Sequence, residues 1–158
     1  MSTIKMHATT TATPEQYIAA LTDFGPGRAE IWGNTADNQL QVYDQSPGHA
    51  DVKEGTSSTW ERLDYDWSNP ERVVMKTTDS NVWGRDSGYT YTFKRNADGT
   101  TTIDFSIVRE GKNLKGRFLE LVLSTVGKGV LPGAYDKSLK AIETRNGGAR
   151  APEAGQTQ

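Results

Sequence analysis

The chain contains no cysteine. That removes disulfide scaffolds, thiolate metal centres and cysteine nucleophiles together, and it makes the cytoplasm the expected compartment. Histidine is almost as scarce, with His7 and His49 the only two. No apolar run approaches the roughly 20 residues needed to span a bilayer. Met1 to Thr13 alternates polar and apolar residues instead of forming an apolar signal segment. Basic residues are not in excess either, and a net charge of -2 excludes a globally basic nucleic-acid binder. Apolar side chains are on the low side at 34% of the chain, yet too many for a disordered protein. A length of 158 residues fits one ordinary domain that builds its core without staples.

Threonine, in contrast, is abundant: nineteen residues, many of them alternating with apolar ones, as in strands with one wet face. The first such segment, Thr3 to Thr13, puts Ile4, Met6 and Ala8 on one face and Lys5, His7 and Thr9 on the other. Thr13-Pro14-Glu15-Gln16 reads as a helix start, with a hydroxyl N-cap, proline at the first position and a capping-box Gln. That helix ends near Asp23, and a second short one is expected from Arg28 to Trp32. A meander follows: strands at Leu40 to Gln45, Ala50 to Glu54, Ser57 to Trp67, Arg72 to Thr78, Ser87 to Arg95 and Thr100 to Glu110. Asn96-Ala97-Asp98-Gly99 is the strongest hairpin signal among their connections. The rest is one long helical pattern opened by Asn113, with Leu114, Phe118, Leu121, Val122 and Val126 at helical spacing. Gly127, Gly129, Pro132 and Gly133 predict a kink or short break, after which Leu131, Tyr135, Leu139 and Ile142 resume the stripe. Gly147-Gly148 ends the helix, and Ala149 to Gln158 reads as a disordered tail, leaving a domain of residues 1–146.

This order, a strand, two short helices, about six antiparallel strands and a long C-terminal helix, is the layout of the helix-grip fold. The predicted class is therefore α+β, a curved antiparallel sheet of about seven strands wrapped around the last helix. The sequence also resembles the START-like (SRPBCC) superfamily, specifically its polyketide cyclase/dehydrase and lipid-transport group. The likeness is carried by Trp60-Glu61-Arg62-Leu63-Asp64-Tyr65-Asp66-Trp67-Ser68-Asn69-Pro70, by Thr78-Asp79-Ser80-Asn81 and by Arg109-Glu110-Gly111-Lys112-Asn113-Leu114-Lys115-Gly116-Arg117. It covers residues 2–146 and is specific for fold but weak for activity, because one scaffold hosts carriers, cyclases and regulators.

What the resemblance implies is a cavity between sheet and helix. Tyr89, Tyr91, Phe93, Phe105 and Ile107 are expected on its sheet side, and Phe118, Leu121, Val122 and Val126 on its helix side. Tyr65, Trp67, Trp60 and Trp83 join them as candidate ligand-binding residues. Strict alternation puts Trp60 on the face opposite Leu63, Tyr65 and Trp67, whereas a bulge near Glu61-Arg62 would turn both tryptophans inward. Arg109 shares the apolar face of its strand: it is either a cation at the cavity mouth for a carboxylate or enolate, or it reaches solvent or a local acid.

Up to Asp79 there are six basic and twelve acidic residues, and beyond it twelve and eight. The densest basic patch, Lys112, Lys115 and Arg117, is a solvated helix end or a site for acidic ligands or a transient contact with an anionic membrane surface. His7 falls on an outward face and His49 in a turn, so neither serves as a cavity base. No metal-ligand spacing is present, no cofactor is expected, and Ser57, Ser58 and Thr59 lack a histidine partner.

The primary expectation is a binder or carrier of a hydrophobic small molecule: a lipid, a polyketide-like compound or an isoprenoid. The alternative is an aromatase/cyclase or dehydratase-like enzyme using Arg109, Tyr89 and Tyr91. A third is an interaction module with a filled cavity and an exposed apolar patch near Trp83. Ligand identity and oligomeric state are not written in the sequence.

Overall fold

A computed structural model describes residues 1–33 and 40–147. Its strands are β1 (Ser2–Thr10), β2 (Gln41–Ser46), β3 (His49–Gly55), β4 (Trp60–Asp66), β5 (Arg72–Ser80), β6 (Gly88–Arg95) and β7 (Thr101–Arg109). They form one antiparallel sheet in the order β1-β7-β6-β5-β4-β3-β2. Helices α1 (Pro14–Leu21) and α2 (Arg28–Trp32) follow β1. The C-terminal helix comprises α3 (Leu114–Val122), a π turn (Leu123–Gly127) and α4 (Lys128–Arg145). This is the helix-grip architecture. The expected tail from Ala149, and Gly148 before it, lie outside the described residues.

Local chemistry sets most boundaries. Thr13 caps α1 by accepting from the Gln16 amide at 3.1 Å while Gln16 Oε1 accepts from the Thr13 amide at 2.9 Å, so both orphan donors are met. The first strand stops at Thr10, short of the expected Thr13, because the residues beyond it are committed to this cap. Thr13→Ala is expected to cost about 1 kcal/mol, read as a lowered urea midpoint with unchanged slope. Gly99, at φ 88°, closes the β6–β7 hairpin, where the Asn96 amide donates to the Thr100 carbonyl at 2.8 Å. β2 is exposed throughout and pairs only with β3, as an edge strand does.

Of the predicted kink or short break at Gly127 to Gly133, the break does not occur. The helix passes through Pro132, and the irregularity is the single π turn upstream. Proline removes the bond to the carbonyl four residues back, here Lys128, the first residue of α4. The lost bond thus falls beside the π turn, where the ladder already changes its pitch.

The core lies between the concave face of the sheet and the second half of the C-terminal helix. Tyr135, Leu139 and Ile142 of α4 meet Ile103, Phe105 and Tyr91 of the sheet, with Tyr17 of α1 enclosed between them. The first half of the helix does not close over the sheet as expected. It is tied instead to the loop after β5: the Lys112 amide donates to the Val82 carbonyl at 2.9 Å, and Asn113 Nδ2 to the Asn81 carbonyl at 2.9 Å. Gly116 lies so close to that loop that a Cβ would stand 2.1 Å from the Val82 carbonyl. This anchoring leaves the Leu114 to Val126 stripe facing solvent.

Candidate functional site

Between sheet and α4 lies a cavity of about 310 Å³. One wall is apolar and aromatic, formed by Met75, Tyr91, Phe105, Ile107 and Leu131 with Trp32. Tyr91 and Phe105 stack with ring centroids 4.2 Å apart and planes within 6°. The other wall is polar and was largely unforeseen: Glu54, Glu61, Tyr89 and Arg28 line it.

Two arginine–glutamate–tyrosine groups supply that polar wall, one through Glu61 and Tyr89 and the other through Glu54 and Arg28, while Arg109 and Tyr65 stand outside the lining. In the first, Arg109 Nη1 donates to both Glu61 oxygens at 3.1 Å, and the Tyr89 hydroxyl donates to Glu61 Oε1 at 2.7 Å. The Thr77 hydroxyl adds a bond to Glu61 Oε2 at 2.9 Å. The Arg109 guanidinium lies 5.1 Å from the Trp83 ring centroid and 4.5 Å from that of Tyr89, in cation–π contact. In the second group, the Tyr65 hydroxyl donates to Glu54 Oε2 at 2.6 Å and accepts from Arg28 Nη2 at 3.1 Å. Arg28 Nη1 is held by the Leu21 and Asp23 carbonyls, each at 2.9 Å. Burial pushes the Glu54 carboxyl above its ordinary range, against the opposing charge of Arg28 and the Tyr65 bond. Arg109 Nη2 and Arg28 Nε are buried with no hydrogen-bond partner.

The sequence candidates are distributed as follows. Tyr89, Tyr91, Phe105, Ile107, Trp60 and Trp83 line the cavity. Phe93 sits off it, its ring 5.3 Å from Tyr17 in the core. Tyr65 stands behind Glu54, and Trp67 packs at the core margin beyond the end of β4. Phe118, Leu121, Val122 and Val126 are exposed and do not line it; Leu131, Ala134, Tyr135 and Ser138 of α4 occupy the helix side instead.

The question of Trp60 is decided by register. β4 pairs with β3 without a bulge, from His49↔Asp66 to Gly55↔Trp60, and the extra residue is Thr78 in β5. Trp60 therefore alternates away from Leu63 and Tyr65, takes Lys53 Nζ 4.2 Å from its ring centroid, and reaches the cavity from its rim. Arg109 does not reach solvent; it is 3% exposed and its partner comes from β4. Tyr89 and Tyr91 serve different clusters, because Tyr91 lies by Tyr17, whose hydroxyl donates to Tyr135 at 3.0 Å. Trp83 is buried, so the exposed apolar surface expected around it lies along α3 instead.

Glu61 and Glu54 were legible from alternation, Glu61 with Leu63 and Tyr65, Glu54 with Ala50 and Val52. Nothing local marks Arg28. Outside the cavity, His7 pairs with exposed Asp104 at 2.7 Å, and His49 bonds Asp64. Among the described residues no cluster of three metal-ligating side chains occurs, and no helix is long and apolar enough to cross a membrane.

A family model described as polyketide cyclase/dehydrase and lipid transport matches residues 1–146. The chain belongs to that family. No curated protein matches the sequence. Solved structures of the same fold include TTHA0849 from Thermus thermophilus, with a TM-score of 0.69 and 10% identity over 91% of this chain and 99% of that one. The ZhuI aromatase/cyclase from Streptomyces sp. R1128 gives 0.65 and 12% identity over 94% and 99%. A START superfamily protein from Mycobacterium smegmatis gives 0.58 and 11% over 90% and 95%. At such identities these neighbours establish the START-like fold that the family members share, and the chemistry rests on the cavity's own residues.

Proposed function

We propose that the protein binds an apolar small molecule, ring-shaped or a single short chain, that carries hydroxyl or carbonyl oxygen. The observation that supports this is a cavity lined on one side by aromatic and apolar side chains and on the other by carboxyl, tyrosine and arginine groups. The stacked Tyr89, Phe105 and Tyr91 rings present a row of apolar edges against which a ring or chain packs. The Tyr89 hydroxyl, whose proton goes to Glu61, accepts a hydrogen bond from a ligand hydroxyl, and the Glu54 carboxyl, which meets Tyr65 and Arg28 through Oε2, offers Oε1 for a second one. A volume of about 310 Å³ is at the lower end for small-molecule pockets. It favours a compact polyketide-like or isoprenoid compound over a two-chain lipid.

Native mass spectrometry of the protein purified from its own host tests this. A retained small-molecule adduct is expected, and Ile107→Trp, which fills the cavity, is expected to lose it while keeping native circular dichroism. Protein that carries no adduct, and that takes up no hydroxylated aromatic probe on titration, refutes the reading.

Glu54 favours a second reading, a dehydratase- or cyclase-like enzyme, since desolvation raises the pKa of this cavity-lining carboxyl, the direction a general acid for a leaving hydroxyl needs. That reading requires the bound compound to be converted by wild type and merely held by Glu54→Gln.

A further inference from the structure

The first half of the C-terminal helix presents an apolar row with no partner among the described residues. Leu114, Phe118, Leu121, Val126 and Val130 are 88%, 64%, 59%, 58% and 62% exposed, and Val122 is 36% exposed. Five of these recur at every fourth position from Leu114 to Val130. In a regular α-helix such a row drifts by about 40° per step. The π turn at Leu123–Gly127 has a wider turn and takes back part of that drift, so the row stays on one side.

The charge around the row is of one sign. Lys112, Lys115, Arg117 and Lys128 lie in or beside it, with Glu120 the one acidic residue between Lys112 and Val130. Glu120 is already engaged, accepting from the Gly111 amide at 2.9 Å and the Ser2 hydroxyl at 3.1 Å. Lys112 stands 3.9 Å from Asp79, and Lys115 donates to the Ser58 carbonyl. Arg117 and Lys128 have no acidic partner among the described residues. The local excess of positive charge stands out in a chain whose net charge is -2.

These features discriminate between occupants. A second copy laid along the row, in either direction, would bring its own basic residues against these, a like-charge contact. A structured protein partner is usually oriented by hydrogen bonds, but the hydroxyls here are turned inward: Ser124 Oγ donates to the Leu121 carbonyl at 2.9 Å and Thr125 Oγ1 to the same carbonyl at 2.8 Å. A lipid surface needs no such orientation and supplies both an apolar layer and negative charge.

We propose that Leu114 to Val130 is an interfacial helix that docks on an anionic membrane surface. Its apolar row enters the acyl boundary, and Arg117 and Lys128 meet the headgroup phosphates. Leu131, the next residue, lines the cavity, so docking sets the cavity wall against the bilayer. The inference does not depend on what the cavity holds.

Co-sedimentation of the full chain with vesicles tests it. Binding is expected to vesicles of phosphatidylcholine and phosphatidylglycerol in equal parts, with release at high salt, and not to phosphatidylcholine alone. The exposed-site variant Phe118→Ser/Val126→Ser is expected to weaken partitioning at least about tenfold. Arg117→Gln/Lys128→Gln is expected to weaken it roughly thirtyfold, and both variants should keep native circular dichroism. The proposal is overturned if wild type ignores anionic vesicles, binds neutral ones equally well, or is matched by either variant. It also fails if wild type is a dimer that Phe118→Ser converts to monomer.

Discussion

Replacing Arg109 by Met is expected to lower unfolding stability by about 3–5 kcal/mol, as breaking one side of a buried ion pair does. The side chains of Arg109 and Glu61 are 4% and 9% exposed, and both Glu61 oxygens accept from Arg109 Nη1. Without the guanidinium, the carboxylate keeps its bonds from Tyr89 and Thr77 but loses its countercharge in a site with little water. A domain stability of about 5–15 kcal/mol makes this a large fraction of the total. Arg62→Met is the control. Arg62 reaches both Asp51 oxygens, at 2.8 and 2.7 Å, but on the outer face, where such a pair contributes about 1 kcal/mol or less. In urea titrations Arg109→Met should lose several times more than Arg62→Met, and Arg109→Met/Glu61→Leu should recover most of the loss. Equal losses for the two single variants would refute the buried-pair account.

A steep alkaline loss of stability is the second large effect. Tyr17, Tyr65 and Tyr91 are held well above the ordinary tyrosine range, first by burial and then by neighbouring hydroxyls or carboxyls. Burial pushes Tyr135 up to about 12. These four groups ionise near pH 10 in the unfolded chain but keep their protons in the folded one. The sign follows from linkage: a raised folded-state pKa gives stability that is complete below the unfolded pKa and lost as pH rises toward the folded one. Burial raises Tyr89 as well, and each of the five tyrosines should remove about 1 kcal/mol between roughly pH 10 and 11, some 5 kcal/mol together. The check is a pH titration that follows tyrosinate absorbance and circular dichroism side by side. The five raised phenols should ionise only with loss of native signal. If all tyrosines ionise smoothly around pH 10 while the fold persists, the cluster is not sealed as described.

Much of the scaffold could be read locally because its signals are local. The Thr13 cap, the Asn96 to Gly99 hairpin and the Asn113 cap each depend on a few consecutive residues, and each is found where the sequence puts it. Alternation also identified the inward residues of β6 and β7, Tyr91 and Phe105 among them. Two classes of error have physical causes. The stripe from Leu114 to Val126 has a core-like period, but period cannot distinguish a face covered by the sheet from one that a distant loop turns outward. Pro132 reads as a helix breaker, but its cost depends on which bond it removes, and that bond lies at the π turn.

The sequence by itself determined the element order, the helix-grip scaffold and the absence of cysteine chemistry, because caps, turns and alternation act over a few residues. Only the tertiary structure decided what the cavity is made of. Glu61 and Arg109 are 48 residues apart and meet across the curved sheet from β4 and β7, while Arg28 and Tyr65 are 37 apart and meet because α2 packs against the sheet. It also decided which half of the last helix is core and which is surface. That outcome rests on the contact of Gly116 with the Val82 carbonyl, a long-range steric fact that no local pattern encodes.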